Sequence, residues 1–355
     1  MKKSTSRRPA ARKAARARSL TYKSAGVNID RTDDFVERLG SLTRSTRDDR
    51  VISDFRAFSG WYLMDLKGME EPVLVATTDG VGTKLRVAHL MKRHDTVGID
   101  LVAMCANDLI TCGAKPLLFL DYFATGTFST REGVAILTGI VEGCKQAGMV
   151  LIGGETAEMP GFYKKGEYDL AGFANGLVDR KRIIDGTSIR PGDVVLGVPS
   201  SGLHSNGYSL ARKVLLERAR LPLGRTPKGL DQPLGDALLE PTRIYVKLVR
   251  ELVEKHDLHG IAHITGGGLP DNIRRLLPAG CRVVLESERW KRPGIFDLIE
   301  RHGKVPRGDM IRTFNMGIGL ALIADAEVAH AMQLEVPELV EIGRVDAGEA
   351  DVRVS

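Results

Sequence analysis

Residues 131–155 read REGVAILTGIVEGCKQAGMVLIGGE, and this stretch decides the fold class. A helix is predicted over residues 131–147, because apolar residues from Leu137 to Ala147 recur at the three- and four-residue spacing of a helix with one buried face. Gly148 is expected to end this helix, because glycine readily adopts the left-handed conformation found after a helix C-terminus. Residues 149–152 are all apolar and predict a buried strand. A helix that leads directly into a buried strand indicates a layered α/β protein.

The same alternation extends in both directions along the chain. A buried strand is predicted at 73–77, a helix at 100–108 and a strand at 116–123. Further strands are predicted at 168–178, 194–198, 261–264, 282–285 and 314–323, and further helices at 208–218, 241–255 and 295–301. The sequence Arg190-Pro191-Gly192-Asp193 interrupts two apolar runs. We therefore expect one domain over residues 21–190 and a second over 191–355.

Length and composition exclude several classes of protein. A chain of 355 residues is long enough for two domains, and its 4 cysteines are too few for a disulfide framework. Apolar runs such as 116–123 stop far short of the roughly 20 residues that cross a bilayer. We therefore expect no membrane span and a reducing, cytoplasmic location.

The positive charge is concentrated at the N-terminus. The net charge is +6, yet residues 1–20 hold 8 Lys and Arg and no acid, so the other 335 residues carry 43 bases against 45 acids. Residues 1–20 are expected to form a disordered basic tail, with a targeting segment as the alternative. Nucleic-acid binding through this tail would show a steep salt dependence, but the near-neutral body argues against a specific nucleic-acid partner.

The first candidate site is the stretch TTDGVGTK at 77–84, which follows a predicted strand. Its spacing differs from that of a Walker A loop, and it carries an acid in the turn. Asp79 can ligate Mg²⁺, and Lys84 can offer its charge to a phosphate. An ordinary Asp-Gly turn would explain the same residues.

Acidic side chains also lie on the predicted helix at 100–108. Asp100 and Asn107 are seven residues apart and share a face, and Asp108 lies close to that face. Ionised carboxylates among apolar neighbours need a partner, and a divalent cation would supply one. A capping Asp100 with a solvated Asp108 is the alternative.

Three further segments carry polar groups at strand ends. Glu155 and Glu158 follow Gly153-Gly154, where they would bind a ligand or simply lie on a surface loop. His204 and Asn206 lie in the Ser- and Gly-rich loop at 199–207, and His204 could transfer a proton or be structural. The loop Thr265-Gly266-Gly267-Gly268 offers backbone N–H groups to an anion, or forms a tight turn. Together these groups suit phosphoryl transfer from a magnesium nucleotide.

The ordered set of motifs resembles the phosphoribosylformylglycinamidine cyclo-ligases, also called aminoimidazole ribonucleotide synthetases. The resemblance runs from about residue 21 to residue 345. It includes the segments 22–27, 79–84, 153–161, 202–207, 240–247, 265–268 and 314–319. Only the basic tail falls outside it.

The resemblance implies a fold, an activity and partners. The fold would be α/β (α+β) with two domains, the N-terminal one forming the core of a homodimer. The activity would be an ATP- and Mg²⁺-dependent ring closure of formylglycinamidine ribonucleotide, in which ATP phosphorylates the formamide oxygen and the amidine nitrogen then displaces phosphate. Such an enzyme acts in the cytoplasm, in purine biosynthesis.

The resemblance also implies roles for individual residues. Asp79, Asp100 and Asp108 would hold Mg²⁺. Lys23, His204 and Asn206 would be catalytic. His204 and Asn206 would contact the reacting groups, and Lys23, in a segment that closes over ATP, would neutralise phosphate charge, as would Lys84. The remaining nucleotide contacts would come from Gly80, Gly82, Lys84, Asn107, Glu155, Thr265, Gly266, Gly267 and Gly268, and the phosphate held by the last four could belong to substrate or nucleotide.

Related families share this architecture, so the fold alone leaves the substrate open. A selenophosphate synthetase is expected to carry a reactive Cys near the N-terminus, whereas the first Cys here is Cys105. A hydrogenase-maturation relative is expected to end in Cys, whereas this sequence ends in Ser355. A thiamine-monophosphate kinase is the enzyme alternative, although it is not expected to match at 202–207 and 240–247.

Overall fold

The computed structural model describes residues 20–21, 40–54 and 57–355. Residues 1–19 and Lys23 lie outside these ranges, so the predictions of a disordered tail and of a catalytic lysine fall on residues that are not described. Within the described ranges, no helix is long and apolar enough to cross a membrane.

The first sheet has four strands: β1 (Pro72–Gly80), β2 (Lys115–Thr125), β3 (Val150–Glu158) and β4 (Tyr168–Asp179). Their spatial order is β1-β4-β2-β3. Strands β2 and β3 are parallel, and β4 lies antiparallel between β1 and β2. Strands β1, β2 and β3 therefore point the same way, and their C-terminal ends lie along one edge of the sheet.

Helices α1 (Leu85–Met91), α2 (Val97–Ile110) and α3 (Thr130–Ala147) follow strands of this sheet in the chain. Helices α2 and α3 pack so closely that a Cβ atom at Gly98 would clash with the carbonyl oxygen of Ile136. Gly148 ends α3 in the left-handed conformation with φ of 63°, as the sequence predicted. Almost every residue of α2 is buried, which leaves its polar side chains dependent on partners inside the protein.

On the opposite face of the first sheet, side chains from three strands are exposed. Strand β1 alternates between exposed and half-buried residues, so the prediction of a wholly buried strand at 73–77 was wrong. The large side chains of Leu74, Tyr122 and Phe173 lie 64%, 37% and 45% exposed on three different strands. The described part of the chain therefore covers only one face of this sheet.

The second sheet has six strands: β5 (Val194–Pro199), β6 (Gly260–His263), β7 (Cys281–Leu285), β8 (Ile318–Ala324), β9 (Val340–Ala347) and β10 (Asp351–Val354). Their order is β10-β7-β9-β5-β8-β6, and only the pair β10 and β7 is parallel. The helices of this half are α4 (Tyr208–Arg212, continued as a π-helical turn Lys213–Arg218), α5 (Leu234–Leu239), α6 (Val246–Lys255), α7 (Gly268–Arg274), α8 (Gly294–Gly303), α9 (Arg307–Thr313) and α10 (Ala326–Glu335).

Two predicted elements begin later than the sequence suggested, and each has a local cause. Helix α6 starts at Val246 rather than 241, because the backbone of residues 242–245 hydrogen-bonds to side chains of the first domain. Strand β8 starts at Ile318 rather than 314, because Met316 and Gly317 have positive φ values of 53° and 104°. Both irregular segments lie between the two sheets.

The two halves share one continuous apolar core. The largest cluster of buried apolar side chains includes Leu109 from α2, Tyr245 from the segment before α6, and Leu320 from β8. This packing brings the ends of β1 and α2 against loops of the second half, and a cleft lies at that junction.

Candidate active site

A cleft of about 470 Å³ lies between the two halves of the protein. The first half contributes the end of β1 and the following turn. The second half contributes the loop after β5 and Thr265, which lies shortly after β6. Five residues predicted from the sequence line this cleft: Asp79, Gly80, Gly82, Asn206 and Thr265. Three segments far apart in sequence therefore meet at one cavity.

Asp79 lies at the end of β1, and its carboxylate accepts a hydrogen bond from the N–H of Gly80 at 2.7 Å. Burial raises the pKa of Asp79, and the negative charge of Asp108 raises it further, against the lowering effects of the Gly80 N–H and His263. The two carboxylates are thus close enough to repel each other. Such a pair favours a cation between or beside them.

Asp108 connects the two halves through His263. Its Oδ1 lies 2.8 Å from Nδ1 of His263, a side chain only 2% exposed at the end of β6. The Nε2 atom of His263 is buried and has no hydrogen-bond partner among the described residues. His263 was not predicted as a site residue, although a histidine inside the apolar run 261–264 was a usable signal.

Asp100 and Lys84 do not face the cleft, contrary to the roles implied for them. Nζ of Lys84 lies 2.8 Å from Oδ1 of Asp100, and both side chains are completely buried. Asp100 also accepts hydrogen bonds from the N–H and Oγ1 of Thr242, at 2.8 and 2.7 Å. The buried acid does have a cationic partner, as expected, but the partner is a lysine of the same chain.

Asn107 likewise has an internal role. Its Nδ2 donates to the carbonyl oxygen of Arg243 at 2.9 Å, and its Oδ1 accepts from the N–H of Tyr245 at 2.9 Å. The side chain is completely buried. Both ends of the amide are used to hold the segment before α6, so the structure gives no support to a nucleotide contact by Asn107.

His204 is buried beneath the cleft rather than lining it. Its φ is 60°, its side chain is fully buried, and its Nε2 accepts a bond from the N–H of Ser201 at 3.3 Å. Burial lowers the pKa of His204 well below its ordinary value, so the ring stays neutral. The next two residues, Ser205 and Asn206, are the ones that reach the cleft.

The glycine-rich loop before α7 is held in shape by Asn272. The Nδ2 of Asn272 donates to the carbonyl oxygens of Thr265, Gly266 and Gly268 at 2.8 to 3.3 Å. Gly268 has a φ of 62°, and a Cβ atom there would clash with the carbonyl oxygen of Ile311. Of this loop, Thr265 lines the cleft, whereas Gly267 and Gly268 adopt the positive φ values of the turn into α7. Binding of an anion by the loop stays a prediction.

Glu155 lies in a different cavity from Asp79. It is exposed on β3 and lines a second cavity of about 570 Å³ together with Asp121 and Gly154. Burial raises the pKa of Asp121 to about 7, and the charge of Glu155 contributes in the same direction. A side chain at position 154 would clash with the carboxylate of Asp121, so Gly154 makes room for it. Sequence analysis did not identify Asp121, which lies within an apolar run.

Asp79 at the cleft and the neighbouring Asp108 fit a nucleotide-bound Mg²⁺ better than a preformed metal site. Within residues 40–54 and 57–355, no group of three or more His, Cys, Asp or Glu side chains is arranged to hold a metal ion. Mg²⁺ is commonly held by one or two carboxylates together with phosphate oxygens and water. Asp79 and Asp108 match that pattern, since neither has a Lys or Arg partner in the described part of the chain.

The fold and this cleft define a class of protein, the AIR synthase related proteins. The sequence profile of their N-terminal domain matches residues 63–178, and that of their C-terminal domain matches residues 190–355. Among curated proteins, the phosphoribosylformylglycinamidine cyclo-ligases of Anaeromyxobacter dehalogenans and Myxococcus xanthus are 56% and 54% identical over 335 residues, covering 93% of this chain and 96% and 97% of theirs. The chain belongs to the phosphoribosylformylglycinamidine cyclo-ligase family, which confirms the resemblance found in the sequence.

Solved structures agree on the fold. The thiamine-monophosphate kinase of Stenotrophomonas maltophilia K279a superposes with a TM-score of 0.64 at 20% identity, covering 90% of this chain and 95% of its own. A hydrogenase maturation protein HypE in complex with ATP superposes with a TM-score of 0.63 at 18% identity, covering 90% of both chains. At such identities the likeness shows a shared fold and no more.

Proposed function

We propose that this protein is an ATP-dependent cyclo-ligase that converts formylglycinamidine ribonucleotide to aminoimidazole ribonucleotide, a step of purine biosynthesis. The observation that carries the proposal is identity above 50% to curated cyclo-ligases over nearly the whole chain. The cleft between the two halves supports the proposal, because it is lined by residues from three of the segments that resemble this family: 79–84, 202–207 and 265–268.

The reaction has two balanced steps. The formamide oxygen attacks the γ-phosphorus of ATP, the bond to the β-phosphate oxygen breaks, and ADP leaves. The amidine nitrogen then attacks the formamide carbon, the carbon–oxygen bond breaks, and inorganic phosphate leaves with the electron pair. Loss of a proton from the attacking nitrogen and transfer of one proton from the ring CH₂ to the exocyclic nitrogen complete the aminoimidazole. Holding both ends of one substrate makes the second step intramolecular, which removes most of its entropic cost.

Asp79 and Asp108 would hold Mg²⁺. Bound there, the ion would supply positive charge to the phosphate oxygens of ATP. The raised pKa of Asp79 supports this assignment, because the negative charge of Asp108 contributes to it. Asp100, which is bonded to Lys84 and Thr242, is not included in this proposed site.

The remaining contacts come from both walls of the cleft. On the first wall, the turn through Gly80 and Gly82 exposes backbone to a phosphate. On the second wall, Asn206 offers an amide whose Nδ2 is buried without a partner in the described chain, and Thr265 offers a hydroxyl. Asn206 is thus the proposed contact to the reacting groups, a role that the buried ring of His204 does not share. Lys23 stays a prediction from the resemblance alone.

A second copy of the chain would cover the open face of the first sheet. Leu74, Tyr122 and Phe173 form an exposed apolar surface on strands β1, β2 and β4. Large apolar side chains exposed together indicate an interaction surface. We therefore include a homodimer through the N-terminal domains in the proposal.

We also propose a cytoplasmic location, because all four cysteines are unpaired.

The proposal is tested by incubating the purified protein with ATP, Mg²⁺ and formylglycinamidine ribonucleotide. We expect ADP and the aminoimidazole product in equal amounts, with ADP release dependent on the ribonucleotide. ADP release with thiamine monophosphate instead, or no aminoimidazole product, would contradict the cyclo-ligase assignment.

A further inference from the structure

We propose that Lys84 and Asp100 are a positioning pair that holds the two walls of the cleft at a fixed separation, rather than ligands of phosphate or metal. The effect on turnover rests on the cyclo-ligase function proposed above.

All three N–H groups of the Lys84 ammonium are accounted for within the protein. Nζ contacts Oδ1 of Asp100 at 2.8 Å, the carbonyl oxygen of His204 at 3.1 Å and that of Glu240 at 2.6 Å. A lysine ammonium has three donors, so none is left for a phosphate. The side chain is also completely buried, which closes it to any ligand in the cleft.

These contacts join the two walls directly. Lys84 ends the short helical turn Gly82–Lys84, whose first residue lines the cleft from the first domain. The carbonyl oxygen of His204 lies immediately before Ser205 and Asn206, which line the cleft from the second domain. One ammonium group therefore sets the position of both walls.

Asp100 extends the connection to a cleft side chain. The hydroxyl of Thr242 donates its single proton to Oδ1 of Asp100, at 2.7 Å. The 3.1 Å contact between Thr242 Oγ1 and Ser205 Oγ must then be a bond donated by Ser205. This orients the Ser205 hydroxyl, and its lone pairs are left to accept from a ligand.

The pair is better suited to fixing geometry than to adding stability. Burying two charges carries a desolvation cost that their attraction often fails to exceed, and neutral replacements of similar shape are frequently tolerated. This completely buried ion pair of the first domain hydrogen-bonds to residues of the second domain, so we expect it to matter more for the orientation of the two domains than for the free energy of unfolding.

The test is the charge-neutral double variant Lys84→Met/Asp100→Asn, with Lys255→Met/Glu335→Gln as the control. The control removes an ion pair between a lysine and a carboxylate at 3.0 Å on the surface of the second domain. We expect kcat of the double variant to fall at least tenfold while its Kd for ATP, measured by calorimetry, stays within threefold of wild type. Hydrogen exchange of the amides at 204–206 and 240–242 should become faster. The control should match wild type in all three measurements.

Two results would overturn the inference. A Kd for ATP weakened tenfold or more would make Lys84 a phosphate ligand, and a kcat within threefold of wild type would show that the pair does not position the cleft. If the double variant does not fold, Thr242→Val removes only the hydroxyl link and is expected to lower kcat about threefold or more at unchanged ATP affinity; an unchanged kcat there also counts against the proposal. Failure of wild-type turnover would refute the proposed function instead, and the ATP affinity and exchange measurements would still decide the role of Lys84.

Discussion

At the scale of single residues, the carboxylates divide by what surrounds them. Asp79 lines the cleft and is close enough to Asp108 for the two charges to interact, whereas Asp100 is paired with Lys84 inside the protein. The sequence showed correctly that an acid in an apolar helix needs a partner. It could not show which partner, because Lys84 and Asp100 come together only when α2 packs against the turn Gly82–Lys84. Asp79, by contrast, was predictable from its place at the end of a strand.

We expect Asp79→Asn to abolish most ATP turnover while leaving the fold intact. The amide keeps the acceptor for the Gly80 N–H but removes one negative charge from the proposed Mg²⁺ site, so kcat/KM for ATP should fall roughly tenfold or more. The loss should be partly offset by raising the Mg²⁺ concentration. Thermal unfolding should be unchanged or slightly higher, because the repulsion from Asp108 is relieved. Wild-type turnover in this variant would remove Asp79 from the site.

Asp121 gives a prediction for the pH dependence of stability. Its pKa is about 7 in the folded protein, against 3.8 for an unperturbed Asp side chain, so between these values the folded state binds a proton that the unfolded state has lost. Its contribution to stability is therefore present at low pH and is lost as the pH rises from about 4 to about 7, with an upper bound of about 4 kcal/mol. Asp121→Asn should raise the Tm at pH 8 more than at pH 5. An equal change at both pH values would contradict the raised pKa.

At the scale of elements, the sequence predicted which face of a helix is buried. It did not predict where a helix begins when contacts with the other half of the protein decide its first residue. The periodicity and Gly148 gave α3 almost to the residue. The same reasoning predicted that α6 starts at 241, because the apolar pattern extends before Val246. In the structure those residues form an irregular segment that is held by hydrogen bonds to Asn107 and Asp100. No local signal distinguishes the two cases. Strand β1 differs again, since its alternate residues face an uncovered side of the sheet.

The close packing of α2 against α3 predicts a strong effect of a single methyl group. In Gly98→Ala the added Cβ would clash with backbone atoms of α3, which cannot move aside as a side chain can. We expect the free energy of unfolding to fall by about 3 kcal/mol or more, as for overpacked cores. The control is Gly308→Ala in α9, where a Cβ would meet nothing within 4 Å and stability should rise slightly. Similar denaturation midpoints for both variants would contradict the close approach.

At the scale of the whole molecule, two half-chains supply one site. Three loops were each identified in the sequence by strand-end position and residue type: the loop through Gly80 and Gly82, the loop at 199–207 that holds Asn206, and the loop at 265–268. Their meeting in one cavity follows from the shared core, which single-sequence patterns do not encode. The family resemblance joined them in advance, and it also carried over roles for Lys84, Asn107 and His204 that their complete burial does not support.

The exposed apolar residues on the first sheet predict that the protein forms a dimer. In water, Leu74, Tyr122 and Phe173 would leave apolar surface uncovered, and pairing with the same face of a second copy would bury it at about 25 cal/mol per Å². Light scattering should therefore give twice the chain mass of 38.7 kDa at micromolar concentration. Leu74→Lys should shift the protein towards the monomer. Leu334→Lys is the matched control, because Leu334 is 71% exposed on α10 in the other domain and lies outside the proposed interface. A monomeric wild type would contradict the dimer, and so would an equal fall in molecular mass in the two variants. Only a contact confined to the first sheet predicts that replacing Leu74 lowers the mass and that replacing Leu334 does not.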